Sequence, residues 1–409
     1  MSSDDNITRA EFEKAYKKVQ KGKKRLSDKK FTRFQTDDLN GLGKFYEKEV
    51  TDKNLTTLMS EFYSDKYKIK EYTCVVLSKG KDKYRTILVP KARDRIIFTV
   101  LLQRLKKTFL QKINEYNVFG SGERKDFKKI KDIAKEVHRI SLQHKYVLKI
   151  DIESFFPSID KEILLGKIRS EIKSELLFKI LKSSIYNNIY FNFKSSIGIT
   201  EIQKEKIIKS ASKGIPQGCA YSPLLANYYA LDFDKKVQDM GLVSFRYLDD
   251  MVIFSNTFPQ AKEMLDILHL EAGTLKMKIH ELSDKNNHKT YIQKTTQPFE
   301  YLGIEITPNG EFSIPIDKIK KEIKLIKSMI INQETIKRFS VSRVHYVLSN
   351  HIKGWKDYYE NNFPIAYDNF KKNYPNYNEQ LKNHYERHPS FLVFLKKRGI
   401  EVESKTLYL

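Results

Sequence analysis

Apolar positions along the chain fall into helical stripes and short extended runs separated by polar turns. Residues 8–64 carry a thin apolar stripe among many charges, which predicts mainly helical structure. Residues 67–89 hold two β-rich runs around the polar sequence SKGKDK, and this pattern predicts a hairpin with a lysine-rich tip. The segment ARDRIIFTVLLQRLKKTFL that follows predicts a helix. A basic helical region therefore precedes the first strands.

The same two patterns alternate through the rest of the chain. Residues 124–143 have apolar residues at helical spacing with lysines between them, so we expect a helix with one packed and one basic face. The runs YVLKIDI and FRYLDDMVIF predict strands that meet turns at aspartates. Residues 299–314 predict a hairpin that turns at Pro308, Asn309 and Gly310. A change to helical patterning after 315, with a second helix over 341–361, marks a domain boundary.

The composition indicates the chemical class of the partner. Among 409 residues, 40% are hydrophobic and 12% aromatic, enough for two or three packed cores. Lys and Arg number 75 against 51 Asp and Glu, which gives a net charge of +24. An excess of this size indicates a polyanionic partner, such as nucleic acid, a ribosome-like assembly or an anionic membrane. Charge alone does not identify a reaction.

The cysteine count and the lengths of the apolar runs indicate the cellular compartment of the protein. Cys74 and Cys219 provide neither a disulfide framework nor a Cys-x-x-Cys zinc site. The first residues are polar and charged, and no later window approaches the ~18 apolar residues of a spanning helix. We therefore expect a cytoplasmic protein that does not associate with a membrane.

Three aspartates are the strongest candidates for chemistry. A single aspartate at a strand end is usually a turn residue or a helix cap, so Asp151 alone indicates little. Asp249 and Asp250 are adjacent between two apolar runs, where two carboxylates repel each other unless a cation offsets the cost of burying them. Mg²⁺ suits that position because it takes oxygen ligands and keeps places for waters and substrate phosphates.

Two such ions, about 3.5–4 Å apart, are what phosphoryl transfer requires. Asp151 together with Asp249 would bridge both ions. Because alternate residues on a strand face opposite sides, one of the adjacent aspartates points at the ions, and we expect it to be Asp249. The sequence thus predicts a two-metal site where strands meet turns.

Five segments, in order along the chain, resemble the fingers and palm motifs of reverse transcriptases: KYRTILVPKARDRI, LKIDIESFFPSID, GIPQGCAYSPLLANYYALDFD, RYLDDMVIF and FEYLGIEI. They are most similar to the prokaryotic branch with group II intron, retron and defence-associated or abortive-infection enzymes. The resemblance implies an α+β fold, a right-hand polymerase with an antiparallel sheet and helices in fingers and palm. The implied domains are 1–64, a basic helical N-terminal region; 65–145, fingers; 146–314, palm with a fingers insertion; and 315–409, a helical thumb and C-terminal extension.

The resemblance also implies the metal ligands. Asp151, Asp249 and Asp250 match the metal carboxylates, with the backbone carbonyl of Ile152 as a further ligand. The implied cofactor is a pair of Mg²⁺ ions, for which Mn²⁺ can substitute. Arg85 and, less directly, Lys83 match residues that hold the incoming triphosphate. A hairpin tip rich in Lys and Arg suits a phosphate clamp, although a solvated charged turn has the same composition.

Three further positions match residues that contact the nucleotide. Phe156 stands where reverse transcriptases place the bulky residue that excludes a ribose 2′-hydroxyl, and ordinary core packing is the alternative. Gln217 matches a residue that contacts nucleotide and template, unless its Pro-Gln-Gly sequence is only a turn. Lys289 is similar to the lysine proposed to protonate the departing pyrophosphate, and Lys285 competes for that role.

The C-terminal part of the resemblance concerns the primer and the thumb. Tyr301, Leu302 and Gly303 resemble the hairpin that grips the primer end. Leu248, directly before the aspartates, replaces a smaller residue. A lysine-bearing helix from 315 to 332 would lie along a duplex, or would be a plain amphipathic surface helix. Around Trp355, aromatic residues among cations suit base stacking and also a helical core, which we favour.

The implied function is RNA-directed DNA polymerisation, in which a nucleotidyltransferase adds dNTPs to a primer 3′ end. The template would be an associated structured non-coding RNA and the setting antiviral defence. Two alternatives stay open: a group II intron-type maturase that acts as an RNA-binding splicing cofactor, and a template-independent or protein-primed polymerase on the same palm. Expected partners are RNA, a DNA primer or product, and dNTPs. The oligomeric state is open, including a homo-oligomer.

Overall fold

A computed structural model describes residues 7–27, 48–78, 84–121, 129–191, 193, 200–283, 289–321, 324 and 353–373. The helices are α1 (Arg9–Ser27), α2 (Lys48–Tyr63), α3 (Ala92–Asn114), α4 (Ile130–Ser141), α5 (Phe155–Ser158), α6 (Lys161–Arg169), α7 (Glu175–Ile185), α8 (Glu201–Ala211), α9 (Ser222–Tyr229), α10 (Leu231–Asp239), α11 (Phe258–Thr274) and α12 (Pro364–Asn373). Residues 316–321 and 353–362 are also helical. None of the described helices is long and apolar enough to cross a lipid bilayer.

The strands are β1 (Tyr72–Ser78), β2 (Tyr84–Val89), β3 (Val118–Phe119), β4 (Tyr146–Asp151), β5 (Ile189–Phe191), β6 (Val243–Tyr247), β7 (Asp250–Ser255), β8 (Tyr291–Lys294), β9 (Phe299–Tyr301), β10 (Ile304–Ile306) and β11 (Phe312–Ser313). In the part of the chain that the structure describes, they form three sheets with the orders β2-β1-β5, β11-β10-β9 and β3-β6-β7-β4-β8. Sheets and helices together confirm the α+β class expected from the sequence.

The residues group into two compact units. The first consists of Met1–Gly122, Leu148–Ile253 and Pro259–Tyr291, and the second of Glu123–Val147, Phe254–Phe258 and Ile292–Leu409. The domain boundaries expected from the sequence remain predictions.

In the first unit, β1 and β2 form the expected antiparallel hairpin. Its register runs from Thr73 opposite Val89 to Ser78 opposite Tyr84, and β5 pairs in parallel with β1. The lysine-rich tip at 79–83, which includes Lys83, lies outside the described residues. The hairpin therefore has a defined register along both of its strands.

A buried aromatic chain joins this hairpin to the helices of the first unit. The ring centroid of Phe98 on α3 lies 6.2 Å from that of Tyr72 and 5.4 Å from that of Tyr221. The Tyr72 hydroxyl donates to the Ser184 carbonyl at 2.7 Å, and the hydroxyls of Ser184 and Tyr221 share a hydrogen bond of 2.6 Å. Each aromatic pair contributes about 0.5–1.5 kcal/mol beyond its area burial. The contacts fix β1 against α3, α7 and the start of α9.

The second unit contains the expected hairpin over 299–314, with one additional turn. Strands β10 and β11 are antiparallel and connect through Pro308, Asn309 and Gly310, as predicted. Leu302 and Gly303, with φ of +54° and +72°, divide the apolar run over 299–306 into β9 and β10. Local apolar patterning did not predict that division.

Expected helices are found at their described positions, with differences in extent. The helix expected over 124–143 is α4, which begins at Ile130, and residues 122–128 lie outside the described part. The helix after 315 begins at residue 316 and is described to 321, with residue 324 also helical. Helical residues 353–362 fall in the expected 341–361 segment, of which 341–352 are not described.

Candidate active site

The ends of two neighbouring strands bring the three candidate aspartates to one place in the first unit. Strand β4 ends on Asp151 and strand β7 begins on Asp250, and these strands are adjacent in the five-stranded sheet. The Ile152 N–H donates to the Asp249 carbonyl at 3.3 Å. Asp151 is the last residue of β4, and the next residue, Ile152, is hydrogen-bonded to the backbone of Asp249. This bond holds Asp151 close to the adjacent pair.

A two-residue turn between β6 and β7 carries Leu248 and Asp249. Leu248 has a φ of +58°, a left-handed conformation that costs a non-glycine residue roughly 1–2 kcal/mol. Gly120, which follows β3, packs against the Leu248 side chain. A Cβ on Gly120 would be 3.0 Å from Leu248 Cγ. The absence of a side chain at position 120 thus leaves room for the leucine of this strained turn.

A fully buried arginine donates a hydrogen bond to the same turn. The Arg246 side chain is 0% exposed and pairs with Asp234 on α10, to which its Nε donates at 2.8 Å. Its Nη1 donates to Asn227 Oδ1 at 3.0 Å and to the Leu248 carbonyl at 3.2 Å. One guanidinium therefore holds α9, α10 and the backbone of the turn.

This network continues to β3 and explains why the buried charge is tolerated. The Asn227 Nδ2 donates to the Phe119 carbonyl at 2.7 Å, and the Arg246 N–H donates to the Asn117 carbonyl at 2.9 Å. A buried ion pair is stable when its remaining hydrogen-bonding capacity is satisfied, and removing one partner costs about 3–5 kcal/mol. The planar fork of arginine suits several acceptors at once.

Cationic side chains pair with Asp250 and Asp151. Lys149 forms an ion pair with Asp250, and its side chain is 10% exposed. Lys149 and Asp151 are two residues apart on β4 and therefore share one face of the strand. The Nζ of Lys289 donates to Asp151 Oδ2 at 2.5 Å. Sequence reasoning named Lys289 and missed Lys149.

His280 is a second group that contacts Asp151. Its Nε2 lies 3.3 Å from Asp151 Oδ2 and its Nδ1 lies 3.3 Å from Glu153 Oε1. The Nζ of Lys289 is 3.1 Å from the same His280 Nε2. The imidazole consequently bridges the carboxylates on either side of Ile152. Sequence reasoning did not single out His280.

The electrostatics of the site are those of close carboxylates under partial burial. Burial raises the pKa of Asp249, and the negative charge of Asp151 raises it further, while Lys149 and Lys289 lower it. Such a group is stabilised in its ionised form by an added cation. The pKa of Asp249 thus depends on the charge of Asp151 and on the charges of both lysines.

The donor set fits a hard divalent ion by its chemistry. Asp151, Asp249 and Asp250 offer carboxylate oxygens, which are the ligands that Mg²⁺ takes, and Ile152 would add a backbone carbonyl. Among the described residues, no three His, Cys, Asp or Glu side chains are already arranged around one point as a metal cluster. Asp151 and Asp250 instead face their cationic partners.

The hairpin of the first unit meets the Pro-Gln-Gly loop of the same unit. Arg85 Nε donates to Gln217 Oε1 at 3.1 Å, and the Leu88 N–H donates to the Gln217 carbonyl at 2.7 Å. Gly218 has a φ of +132°, and a Cβ there would be 2.4 Å from the Leu88 carbonyl oxygen. Glycine is required for this close approach. The structure thus brings together Arg85 and Gln217, which sequence reasoning had named separately.

Phe156 is held by the loop before Gln217. Its carbonyl accepts from the Ile215 N–H at 3.2 Å, and a Cβ on Gly214 would be 1.9 Å from that carbonyl oxygen. The neighbouring Phe155 is 3% exposed and belongs to the core, whereas Phe156 is partly exposed. Core packing therefore accounts for Phe155 better than for Phe156.

In the second unit, the turn at Leu302 and Gly303 is bound by side chains that follow it in sequence. Tyr358 donates to the Leu302 carbonyl at 2.5 Å. Tyr359 and the Lys318 Nζ donate to the Gly303 carbonyl at 2.8 and 3.1 Å. A cavity of about 500 Å³ lies beside this turn. The preceding Tyr301 is fully buried.

Trp355 packs within an aromatic cluster of the second unit. Its ring centroid lies 4.7 Å from that of Tyr359 and 5.0 Å from that of Phe370, both edge-on. Such contacts are typical of a helical core. They agree with the core interpretation that the sequence favoured, although Trp355 also lines the 500 Å³ cavity.

One of the missed residues carries a signal in the sequence. Lys149 is a charged residue inside an otherwise apolar strand run, which requires a partner. Arg246 and Asp234 stand in apolar surroundings in FRYLDD and ALDFD. Their pairing depends on the tertiary arrangement and could not be derived from spacing.

Comparison with known protein families identifies the family of the chain. Residues 76–306 match the family described as reverse transcriptase (RNA-dependent DNA polymerase), which is more than half of the 409 residues. The chain belongs to the reverse transcriptase family. The resemblance inferred from the five motifs is confirmed.

Two curated Escherichia coli proteins are similar to the chain. Protein YkfC, from strain K12, is 22% identical over 215 residues, which cover 51% of this chain and 51% of YkfC. The retron Ec86 reverse transcriptase is 24% identical over 226 residues, which cover 54% of this chain and 59% of the retron enzyme. The chain thus spans between half and three-fifths of the length of these relatives.

Two telomerase structures also align with the chain. An apo telomerase from Candida tropicalis, truncated from the C-terminal domain, has a TM-score of 0.43 and 12% identity, covering 65% of this chain and 60% of that one. The telomerase from Candida albicans in complex with the TWJ fragment of telomeric RNA has a TM-score of 0.40 and 11% identity, covering 78% and 60%.

Proposed function

We propose that the chain is an RNA-directed DNA polymerase that adds deoxynucleotides to the 3′ end of a primer. One observation carries the proposal: the end of β4 and the turn before β7, joined by the bond from Ile152 to Asp249, bring Asp151 beside the adjacent pair Asp249 and Asp250. Family membership supports the same reaction.

In this proposal, Asp151, Asp249 and Asp250, with the carbonyl of Ile152, would hold two Mg²⁺ ions, or Mn²⁺ in their place. The bound ions would activate the primer 3′-oxygen and stabilise charge on the triphosphate and the leaving oxygen. Lys149 and Lys289 oppose the repulsion between Asp249 and Asp151.

Other side chains would handle the nucleotide. Arg85, bonded to Gln217, offers a guanidinium to the triphosphate. Phe156, fixed through its backbone, would occupy the space of a ribose 2′-hydroxyl and so favour dNTPs. Lys289 would donate a proton to the departing pyrophosphate, and its contact with Asp151 keeps its ammonium at the site. Lys83 would extend the phosphate clamp.

The proposed partners follow from charge and family. A net charge of +24 supports binding of nucleic acid, here an RNA template and a DNA primer or product. We favour a structured non-coding RNA as template and antiviral defence as setting, because the motifs are most similar to the prokaryotic branch with such enzymes. The turn at Leu302 and Gly303 would contact the primer, and residues 315–409 would include the thumb.

The test uses the protein purified with its co-expressed RNA, Mg²⁺ and labelled dNTPs. Asp249→Asn keeps the shape of the side chain and removes its charge, and Asp239→Asn, at the exposed end of α10, is the matched control. Metal stabilisation is worth several kcal/mol, so we expect Asp249→Asn to lose at least about a hundredfold in rate while Asp239→Asn stays active.

Sequencing of the product separates the rival functions. DNA complementary to the bound RNA, lost after RNase treatment, is the expected result. Product that persists without RNA would identify template-independent or protein-primed synthesis. A splicing cofactor would keep its RNA-dependent activity in Asp249→Asn. Absence of DNA under every condition would overturn the proposal.

A further inference from the structure

A groove of about 780 Å³ in the first unit begins two residues after Asp151, at Glu153 and Ser154. Its floor is the segment 153–162, which includes α5 and the start of α6. Lysines line both walls: Lys206, Lys209 and Lys213 on and after α8, and Lys276 and Lys278 after α11. We call this feature the lysine groove.

The carboxylates of the lysine groove already have partners. Asp160 accepts the Lys276 Nζ at 2.8 Å and two backbone N–H groups at the start of α6. Glu162 accepts the hydroxyl of Tyr186, and Glu153 lies 3.3 Å from His280 Nδ1. The lining of the groove nevertheless carries six lysines, Lys161 on α6 among them, against three carboxylates, so its formal net charge is positive.

Four exposed lysines consequently leave a local excess of positive charge. Among the described residues, no carboxylate forms an ion pair with the members of this set, Lys206, Lys209, Lys213 and Lys278. Lysines that line one groove attract an extended anion more strongly than lysines scattered over a surface. The charge excess thus lies along a defined path.

Close backbone packing fixes one wall of the groove to its floor. Gly214, with a φ of +61°, approaches Phe156 so closely that a Cβ would be 1.9 Å from its carbonyl oxygen. The Ile215 N–H donates to that same carbonyl at 3.2 Å. Because Lys213 directly precedes Gly214, its backbone position relative to the floor is set before any ligand binds. The lysine groove is thus preorganised at this end.

We propose that the lysine groove binds the sugar–phosphate backbone of a single nucleic-acid strand outside the primer–template duplex. The inference rests on the proposed function only for the position of the groove beside a polymerase site. A volume of 780 Å³ lies within the ~300–1,000 Å³ of ligand sites, which admits a few nucleotides of one strand.

The lining residues also determine the mode of recognition. None of the residues described as lining the groove is aromatic, so the lining itself offers no ring on which a base can stack. Lysine ammonium groups contact phosphates regardless of base sequence. Binding is therefore independent of sequence and sensitive to salt. RNA and DNA share this phosphodiester chemistry, and separate arms of the test distinguish them.

The test compares Lys209→Gln/Lys213→Gln with Lys235→Gln/Lys236→Gln, which removes two exposed lysines from α10 in the same unit. Affinity for a fluorescent single-stranded RNA, and separately for DNA of the same sequence, is measured over a salt series without dNTPs. Each lost phosphate contact reduces the slope of log affinity against log salt by about 0.7 for single strands, so we expect a reduction of about 1.4. The control pair leaves the slope at its wild-type value.

Equal slopes for the two double variants, on both RNA and DNA, overturn the proposal. A second arm measures dNTP incorporation on a blunt primer–template and on one with a long single-stranded template. An increase in KM for dNTP that is equal on both substrates assigns the groove to the triphosphate and also overturns the proposal. Binding is measured without catalysis, so a wild-type protein that makes no DNA refutes the proposed function and leaves the salt-slope result intact.

Discussion

Leu248 packs against the backbone of Gly120, and both residues have left-handed backbone conformations, with φ of +58° and +90°. The contact is tight, because a Cβ on Gly120 would be 3.0 Å from Leu248 Cγ and 3.3 Å from a ring carbon of Tyr247. The turn that carries Asp249 is therefore shaped in part by a glycine 128 positions earlier in the chain.

Gly120→Ala should disturb this turn more than backbone strain alone would. Gly241 provides the control, because its φ is +67° and a Cβ there would meet nothing within 4 Å. We expect Gly241→Ala to lower the free energy of unfolding by about 1 kcal/mol and Gly120→Ala by about 2–4 kcal/mol, from strain and overpacking together. Urea titration measures the difference. DNA synthesis should fall only in Gly120→Ala, and an equal loss in both variants would contradict the contact.

Arg246→Met should leave the Asp234 carboxylate buried without its cation. We expect a loss of about 3–5 kcal/mol in the free energy of unfolding. Replacing both partners, in Arg246→Met/Asp234→Leu, should recover most of that stability, since the uncompensated charge is gone. The Leu248 carbonyl still lacks its donor, so DNA synthesis should stay below wild type in the double variant. Full recovery of activity would show that the arginine does not position the turn.

Phe156→Ala should relax the choice of sugar. Removing a steric contact of this size is worth about 1–3 kcal/mol, so discrimination between dNTP and rNTP should fall by about 10–200-fold. Phe155→Ala is the matched comparison, because that buried neighbour should cost about 3–5 kcal/mol of stability and leave discrimination unchanged. Single-nucleotide incorporation with each substrate gives the ratio. Unchanged discrimination in Phe156→Ala would return Phe156 to a packing role.

Lys289→Gln should lower kcat with little change in the KM for dNTP, since it removes a proton donor and a cation that contacts Asp151. General acid catalysis contributes about 10²–10⁴-fold, which sets the expected loss. Lys294→Gln, an exposed lysine at the end of β8, should behave as wild type. Lys285→Gln tests the competing assignment, and a larger loss there than in Lys289→Gln would reverse it.

Local sequence signals predicted the strands and several helices of this chain because they depend on near neighbours. The hairpin of β1 and β2 and the aspartate-bearing ends of β4 and β7 follow from apolar runs and turn residues. Apolar patterning did not predict that Leu302 and Gly303 divide the run over 299–306 into two strands. Both residues have left-handed backbone conformations, and their carbonyls accept hydrogen bonds from Tyr358 and Tyr359, which are more than 50 positions away in the sequence.

The candidate site was predictable as a set of carboxylates and less so as a set of cations. Adjacent aspartates draw attention in any sequence, whereas lysines and arginines are abundant in a chain of net charge +24. Which of them pair with the site is decided by long-range packing. Lys149 reaches Asp250 across neighbouring strands, and Arg246 reaches Asn227 and Asp234 on helices that precede it.

The ion pair between Lys149 and Asp250 also bears on how the sheet assembles. Lys149 and Asp151 share one face of β4, so a one-residue slip of that strand would turn both toward the opposite side. Lys149 would then enter the sheet's apolar side without a carboxylate, at a cost of several kcal/mol. The ion pair between Lys149 and Asp250 therefore disfavours a five-stranded sheet with the wrong register. Once this sheet has formed in its native register, Asp151 already lies beside Asp249 and Asp250.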